Sequence, residues 1–251
     1  MGYITGAAVV IGSVSLALSF AWSQTSVIQQ SVTVNHEGSS VTVSGQTVSI
    51  DTSASGSRVV GDGQAASETR AIGPVTAIDT AGAFALTVNV GPAPELTIET
   101  DKNLLSIIKT DVSNGRLDIY TDRSYSVDGR IKVTVTLPNV TDVSASGSNQ
   151  ISGEGLTGAT LSISLNGSNN VVLAGNVSAL TARMSGANHL SAQRLTADSA
   201  NVSLNGSGDA SVDARQQVVA QISGAGSITV YGNPKERSTQ VNGAGKIAFA
   251  Q

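Results

Sequence analysis

Few residues in this chain have the chemistry for proton transfer or metal binding. There are two histidines, His36 and His189, and no cysteine. Thiol catalysis, disulfides and cysteine zinc sites are thereby excluded. A Ser-His-Asp triad needs a histidine between an acid and a serine, and no motif around either histidine supplies one. His189 stands where equivalent segments hold Gln150, Asn170, Asp209, Ser227 and Lys246, so it reads as a solvated surface residue. Glycoside cleavage needs two carboxyl groups held at a set separation, whereas Glu154, Asp198, Asp209 and Asp213 are scattered along the chain. The phrase Gly206-Ser207-Gly208-Asp209, with Asn205 and Asp213, is faintly similar to calcium-binding glycine-rich repeats. Those recur about every nine residues, and here the phrase carries its acid once, so it reads as a turn. Arg116, Arg123, Arg130 and Lys132 form a modest basic grouping. The four tyrosines and one tryptophan are too dispersed to make a sugar-stacking platform. The expectation is no catalytic residue, no cofactor, no metal site and no enzyme.

What must position any surface is a phrase written six times. It runs Ser146-Gly147-Ser148-Asn149, Asn166-Gly167-Ser168-Asn169, Ser185-Gly186-Ala187-Asn188, Asn205-Gly206-Ser207-Gly208, Ser223-Gly224-Ala225-Gly226 and Asn242-Gly243-Ala244-Gly245. The lead glycines Gly147, Gly167, Gly186, Gly206, Gly224 and Gly243 lie 20, 19, 20, 18 and 19 residues apart. Two and four residues before them, and four after, the positions are apolar except at Thr239. Alternation at period two marks a strand with one buried face. Each unit therefore reads as strand, glycine corner, strand and second turn. A unit of this size closes no core alone and must share one with its neighbours. The fold class is all-β: a parallel β-helix, right-handed as parallel crossovers nearly always are, with coils of 19–20 residues. Its thin layers explain an aromatic content of 3%. The Asn149, Asn169 and Asn188 positions admit two readings: repeated turn chemistry, or side chains hydrogen-bonded in a ladder along the rod.

Residues 1–22 include an uncharged stretch, 3–22, near the ~20 residues that span a bilayer. It reads as a cleavable export signal or an uncleaved membrane anchor; Ser19-Phe20-Ala21 suits cleavage, while the first basic residue is as late as Arg58. Residues 23–69 read as a Ser/Thr/Gly-rich stalk or linker with short strands at Val32/Val34, Val41/Val43 and Val48/Ile50. The folded domain is expected over 70–251: a cap and first coils over 70–142, then six regular coils over 143–251. Ala81-Gly82-Ala83 looks like a degenerate first corner. Strands are expected at Phe84–Val90, Glu95–Thr100, Leu105–Thr110, Arg116–Thr121 and Arg130–Leu137. Asn114-Gly115 signals a hairpin. These make a wider, partly antiparallel cap at the N-terminal end of the rod, protecting strand edges that would otherwise pair with other chains.

From residue 72 onward the chain resembles the auto-transporter adhesin head GIN domain family. The resemblance rests on Asp101-Lys102-Asn103-Leu104-Leu105, on Asn114-Gly115-Arg116-Leu117-Asp118-Ile119, and on Lys132 to Pro138 leading into Ser146-Gly147-Ser148. The serial Ser-Gly-Ser/Ala phrases and Tyr231-Gly232-Asn233-Pro234 complete it. It implies a right-handed parallel β-helix in exported bacterial proteins, in the periplasm, at the outer membrane or on the cell surface. It implies no activity and transfers no functional residue.

The net charge of −4 lacks the basic stripe of a nucleic-acid binder. The expected role is a non-enzymatic, adhesin-like or structural β-solenoid of the cell envelope. Its partner would be an envelope glycan or a surface protein, and membrane contact would run only through residues 3–22. The alternative is a polysaccharide-binding or polysaccharide-active β-helix with a groove beside Arg116–Lys132. Self-association is a further expectation, because Gly245 to Gln251 form a coil with no obvious cap.

Overall fold

A computed structural model describes residues 58–250 in full and, within the first 57, the backbone of five strands. These are β1 (Ala7–Val10), β2 (Ser13–Trp22), β3 (Ser26–Val34), β4 (Ser40–Val43) and β5 (Gln46–Ser49), each antiparallel to the next. The uncharged stretch 3–22 supplies β1 and β2. Among the described residues no helix is long and apolar enough to cross a membrane. His36 and residues 50–57 of the expected linker lie outside the described residues.

A second compact unit runs from Arg58 onward. Two strands lead into it, β6 (Val59–Val60) and β7 (Ala65–Arg70). The first coil is β8 (Ala77–Gly82) and β9 (Phe84–Val90). The cap follows: β10 (Glu95–Asp101), a 3-10 helix (Lys102–Ile107), β11 (Ile108–Ser113), β12 (Arg116–Thr121), β13 (Tyr125–Ser126) and β14 (Ile131–Leu137). Winding resumes at β15 (Asp142–Gly147). The long strands β16 (Gln150–Gly167), β17 (Asn170–Gly186), β18 (His189–Gly206) and β19 (Asp209–Gly224) each carry the chain from one corner to the next. The described solenoid closes with β20 (Ser227–Tyr231), β21 (Glu236–Gly243) and β22 (Lys246–Phe249).

The coils stack in parallel and in register. Gly82, Gly147, Gly167, Gly186, Gly206, Gly224 and Gly243 form one column. The degenerate phrase at Ala81-Gly82-Ala83 heads it. Inside, Ile78, Val143, Ile163, Ala182, Val202 and Ala220 stack as one core column. Ala145, Leu165, Met184, Leu204 and Ile222 stack beside it, all at most 2% exposed. In several coils a small residue in one column stands beside a large one in the next, as Ala182 beside Met184 and Ala220 beside Ile222, which fills the narrow interior of these columns with aliphatic side chains. Each fully buried Leu or Ile contributes about 1.5–3 kcal/mol, and coils share that gain only with neighbours.

Thr80 breaks the pattern. It heads the Ala145 column, is fully buried, and its hydroxyl has no hydrogen-bond partner. An unpartnered buried hydroxyl costs about 1–3 kcal/mol. Thr80→Val, nearly isosteric, is expected to raise stability by about 1 kcal/mol in urea unfolding; an unchanged or lower midpoint would show that the hydroxyl is satisfied.

The cap departs from chain order. β12 pairs with β8, and β14 with β9, both in parallel. They lie on the side of the first coil away from β15 and β16, which pair with the same two strands. Beyond them the pairing turns antiparallel, β11 on β12 and β10 on β14, with β7 outermost on β10. Asn114 and Gly115 take φ of 50° and 75°, the left-handed pair that a tight β11–β12 hairpin requires. The expected strand from Leu105 is instead helical through Ile107. Leu104 and Ile107 are both buried, and a spacing of three puts them on one face of a 3-10 turn.

Arg70 ties the two layers of the cap together. Its guanidinium donates to the carbonyls of Leu105 (3.1 Å) and Ile108 (2.8 Å) and to the Thr110 hydroxyl (3.1 Å). Its Nε donates to Glu68 at 3.0 Å. Arg70→Ala strips acceptors at a half-buried site and is expected to cost about 2–3 kcal/mol. Arg70→Lys, lacking the planar fork, should recover under half of that loss in the same unfolding assay.

Candidate interaction surface

The corner geometry follows from the repeated phrase. Gly147, Gly167 and Gly186 take φ of 102°, 103° and 104°, where side chains are disfavoured. They also lie so close that a Cβ on Gly186 would stand 2.4 Å from the Gly167 carbonyl oxygen. The next-but-one residue turns inward. Asn149, Asn169 and Asn188 are 1%, 2% and 1% exposed, and they form a ladder. The Asn169 Oδ1 accepts from the backbone N–H (3.0 Å) and the Nδ2 (2.9 Å) of Asn149. Asn188 Oδ1 accepts the same pair from Asn169 at 2.9 and 2.8 Å. Each Nδ2 also donates to its own corner carbonyl, at Ser146, Asn166 and Ser185. Asn149 Oδ1 ends the ladder by accepting from Phe84 N–H at 3.0 Å. Both readings of these residues hold at once: they are turn residues, and they bond from coil to coil.

With the asparagines folded inward, the outer face of the layer before the corners belongs to other residues. One column runs Ser144, Ser164, Arg183, Ser203, Gln221 and Gln240; the next runs Ser146, Asn166, Ser185, Asn205, Ser223 and Asn242. Arg183 is the one charge among them. Rungs repeat about every 4.8 Å. Toward β21 the columns enclose a groove of about 210 Å³, walled by Ser203, Asn205, Gln221, Ser223, Gln240 and Asn242. It presents amides and hydroxyls and no ionisable group.

Among the described residues, His189, Glu154, Asp198, Asp209 and Asp213 are not assembled into a catalytic group. His189, Asp209 and Ser227 do fall in one outward column. Their order is wrong for nucleophilic catalysis: Asp209 lies between the other two, and the Ser227 hydroxyl donates to Asp209 Oδ1 at 2.6 Å. A triad needs the histidine in the middle. Asp209 and Asp213 sit four residues apart on one strand, about 13 Å along it, too far to share a cation. Asp213 faces Arg215 at 3.0 Å. Among the described residues no group of three potential ligands is placed to hold a metal ion.

The basic grouping is also divided. Arg116, on β12, lies 3.5 Å from Asp79 and 3.7 Å from Asp142. Lys132, on β14 in the other layer, lies 4.0 Å from Glu99, Arg130 donates to the Ser148 carbonyl, and Arg123 is exposed on the connecting loop. A cavity of about 400 Å³ does adjoin Arg130 and Lys132, but Glu99, Asp101 and Asp128 line it equally. The expected groove beside Arg116–Lys132 is therefore corrected to a cavity of mixed charge that Arg116 and Arg123 do not reach. Register also stacks Asp111, Asp118 and Asp79 on adjacent strands. Burial raises the Asp79 carboxyl above its ordinary 3.8; Arg116 opposes this, while Asp118 and Asp142 reinforce it.

The amide groove was missed in the sequence, although its signal was present: outward positions filled by Gln221, Gln240, Asn205 and Asn242 where surface strands ordinarily carry charge.

Comparisons with known proteins agree with this architecture. No curated protein matches the sequence. A crystal structure of a putative adhesin from Bacteroides fragilis superposes with a TM-score of 0.64 at 20% identity, covering 76% of this chain and 100% of its own. A putative lipid binding protein from Parabacteroides distasonis gives 0.50 at 20% identity, covering 77% and 100%. A putative adhesin from Parabacteroides merdae gives 0.50 at 18%, covering 77% and 99%. At these identities the likeness is one of fold. Residues 74–234 match the family described as "Putative auto-transporter adhesin, head GIN domain", and the chain belongs to that family.

Proposed function

We propose that this protein is a non-catalytic, adhesin-like solenoid exported to the bacterial envelope or surface, and that it meets its partner through the face before the corners, on the uncharged groove beyond Arg183. The observation that supports this reading is the groove of amides and hydroxyls between Ser203 and Asn242. Amides donate and accept together, which suits neighbouring sugar hydroxyls, and the lack of charge favours a neutral glycan over an acidic one. No aromatic platform adds stacking, so single contacts are weak and repeated rungs act by avidity. The family description and the adhesin-named structures are consistent with a surface role. The acids of the regular coils, Glu154, Asp198, Asp209 and Asp213, are not gathered at the groove, which favours binding over cleavage there.

The test is a binding screen of the full chain, arrayed at high density, against neutral and uronic-acid oligosaccharides. Neutral glycans should bind, and the double variant Gln221→Ala, Gln240→Ala should weaken that binding at least about tenfold. Preference for uronic acids, or equal binding by the variant, would overturn the reading. N-terminal sequencing and fractionation in a Gram-negative host test the export half of the proposal; intact cytoplasmic protein would overturn it.

A further inference from the structure

In the cap, β10 serves two neighbours and leaves them at different points. It pairs with β7 from Leu96 through Asp101, but with β14 only from Glu95 to Glu99, which faces Lys132. Past Glu99 no pairing joins β10 to β14, and the chain approaches β14 through 127–130, where Gly129 takes a φ of 90°. This fork holds the cavity of about 400 Å³, toward the lower end of small-ligand sites, which span roughly 300–1,000 Å³. Alternation along β10 puts Thr100 on the same side as the buried Leu96 and Ile98. Thr100 lines the cavity, yet among the described residues its Oγ1 is shut from solvent and has no hydrogen-bond partner. An orphaned hydroxyl is costly unless an occupant supplies its partner. The charges are incompletely matched as well. Glu99 and Lys132 face each other at 4.0 Å. Asp101 Oδ2 accepts from the Gly63 N–H at 3.1 Å, which leaves Oδ1. Among the described residues neither Asp101 nor Asp128 forms an ion pair. Arg130 uses one terminal nitrogen on the Ser148 carbonyl, and its guanidinium carries further donors.

We propose that this fork is a binding site for a small zwitterion: an α-amino acid, or a short peptide with free ends. The ammonium group, with its several donors, answers the carboxylates of Asp101 and Asp128. The carboxylate answers Arg130, whose planar guanidinium suits it. The Thr100 hydroxyl can donate or accept, so either end of the ligand satisfies it. Ala65, Ala66 and Val127 line the same cavity and accept a short apolar side chain. The balance of charge selects for a ligand carrying both signs. A simple anion would meet three carboxylates, Glu99, Asp101 and Asp128, and a simple cation would meet Arg130 and Lys132 with nothing to offer them. Three acids against two bases is close to the balance that a neutral, dipolar ligand requires. The site lies in the cap, away from the corner columns, and does not rest on the glycan reading.

Titration calorimetry of the full chain with alanine, alanyl-alanine, N-acetylalanine and ethylamine tests this. Alanine or its dipeptide should bind, and the tighter of the two tells an amino-acid site from a peptide-end site. N-acetylalanine lacks the ammonium and ethylamine the carboxylate; each should bind at least about tenfold more weakly. Asp128 is exposed, so Asp128→Asn should fold normally and weaken the zwitterion at least about tenfold. Thr100→Val removes the orphaned hydroxyl. It should not lower the urea midpoint of the free protein, yet it should weaken binding about threefold or more. Amide chemical shifts should move with the zwitterion at 65–67, 99–101 and 127–132, and not along 203–242. Failure of both zwitterions to bind, equal binding of the blocked compounds, or undiminished binding by the folded Asp128→Asn and Thr100→Val chains would each overturn the proposal. Shifts confined to 203–242 would overturn it too. Both variants should keep the wild-type response to neutral glycans, so failure here leaves the glycan reading standing.

Discussion

Replacing Asn169 with leucine is expected to cost about 4 kcal/mol, although the two side chains are close in size. Leucine removes the acceptor for the Asn149 backbone N–H and the donor to the Asn166 carbonyl. The Asn149 N–H is buried and the Asn166 carbonyl part-buried, and each orphaned group costs up to about 1–3 kcal/mol. The remaining bonds do not compensate: Asn149 Nδ2 keeps only its bond to Ser146, and Asn188 Oδ1 only its bond from the residue 169 N–H. The effect should be read as a lower urea midpoint and as faster hydrogen exchange at the Asn149 amide. Asn205→Ala, on the outer face, should stay within about 0.5 kcal/mol of wild type. If the two substitutions cost the same, the ladder does not support the coils.

The second large effect separates two demands placed on glycine. Gly115→Ala puts a methyl group at a φ of 75° with nothing within 4 Å of the new Cβ. Its cost should be the left-handed backbone alone, about 1–2 kcal/mol. Gly186→Ala meets a similar backbone penalty and drives its Cβ to 2.4 Å from the Gly167 carbonyl oxygen. That oxygen already accepts from the Ala187 N–H at 2.8 Å, so it cannot withdraw without breaking the stack. A loss of about 4–5 kcal/mol is expected, in the range that single substitutions seldom exceed. Equal losses at the two sites would mean that the coils breathe apart enough to admit a methyl group.

The architecture was legible because it repeats. Alternating apolar positions around Gly147 to Gly224 fixed strand, corner and buried face in those coils, and Asn114-Gly115 fixed a hairpin. What did not repeat was harder to see. No local pattern says that β12 and β14 stack outside the earlier β8 and β9, since that order depends on pairings made across 39 and 47 residues. The 3-10 turn at Leu104–Ile107 was hidden because a short apolar run suits several structures. Thr239 was the one polar exception among the alternating positions; in the register it faces Ala220, and Arg237 faces Val218, which the repeat phrase did not single out. The switch from Asn188 to Gly208 was visible, but its reason was not. A Cβ at Gly208 would stand 2.1 Å from the Asn188 carbonyl oxygen, so the backbone of that corner leaves no room for a side chain to continue the ladder.

The amide groove shows the limit from the other side. Its residue types were plain in the sequence, yet their meaning depends on which asparagines fold inward. Asn149 and Asn166 are the same residue type in adjacent corners. Only the corner geometry puts the first in the core and the second in the outer column.

The out-of-order stacking of the cap bears on how the chain acquires its shape as it emerges from one end. The first coil cannot be completed when it is made, because both of its neighbours come later: residues 116–137 on one side and 142–154 on the other. A nascent chain therefore holds β8 and β9 open until more than 60 further residues have appeared. After that, every addition is local, since each coil rests on the one completed about 20 residues before it. The cap acts as a seed and the repeats grow from it like layers on a crystal face. One slow, cooperative step is followed by a series of fast ones.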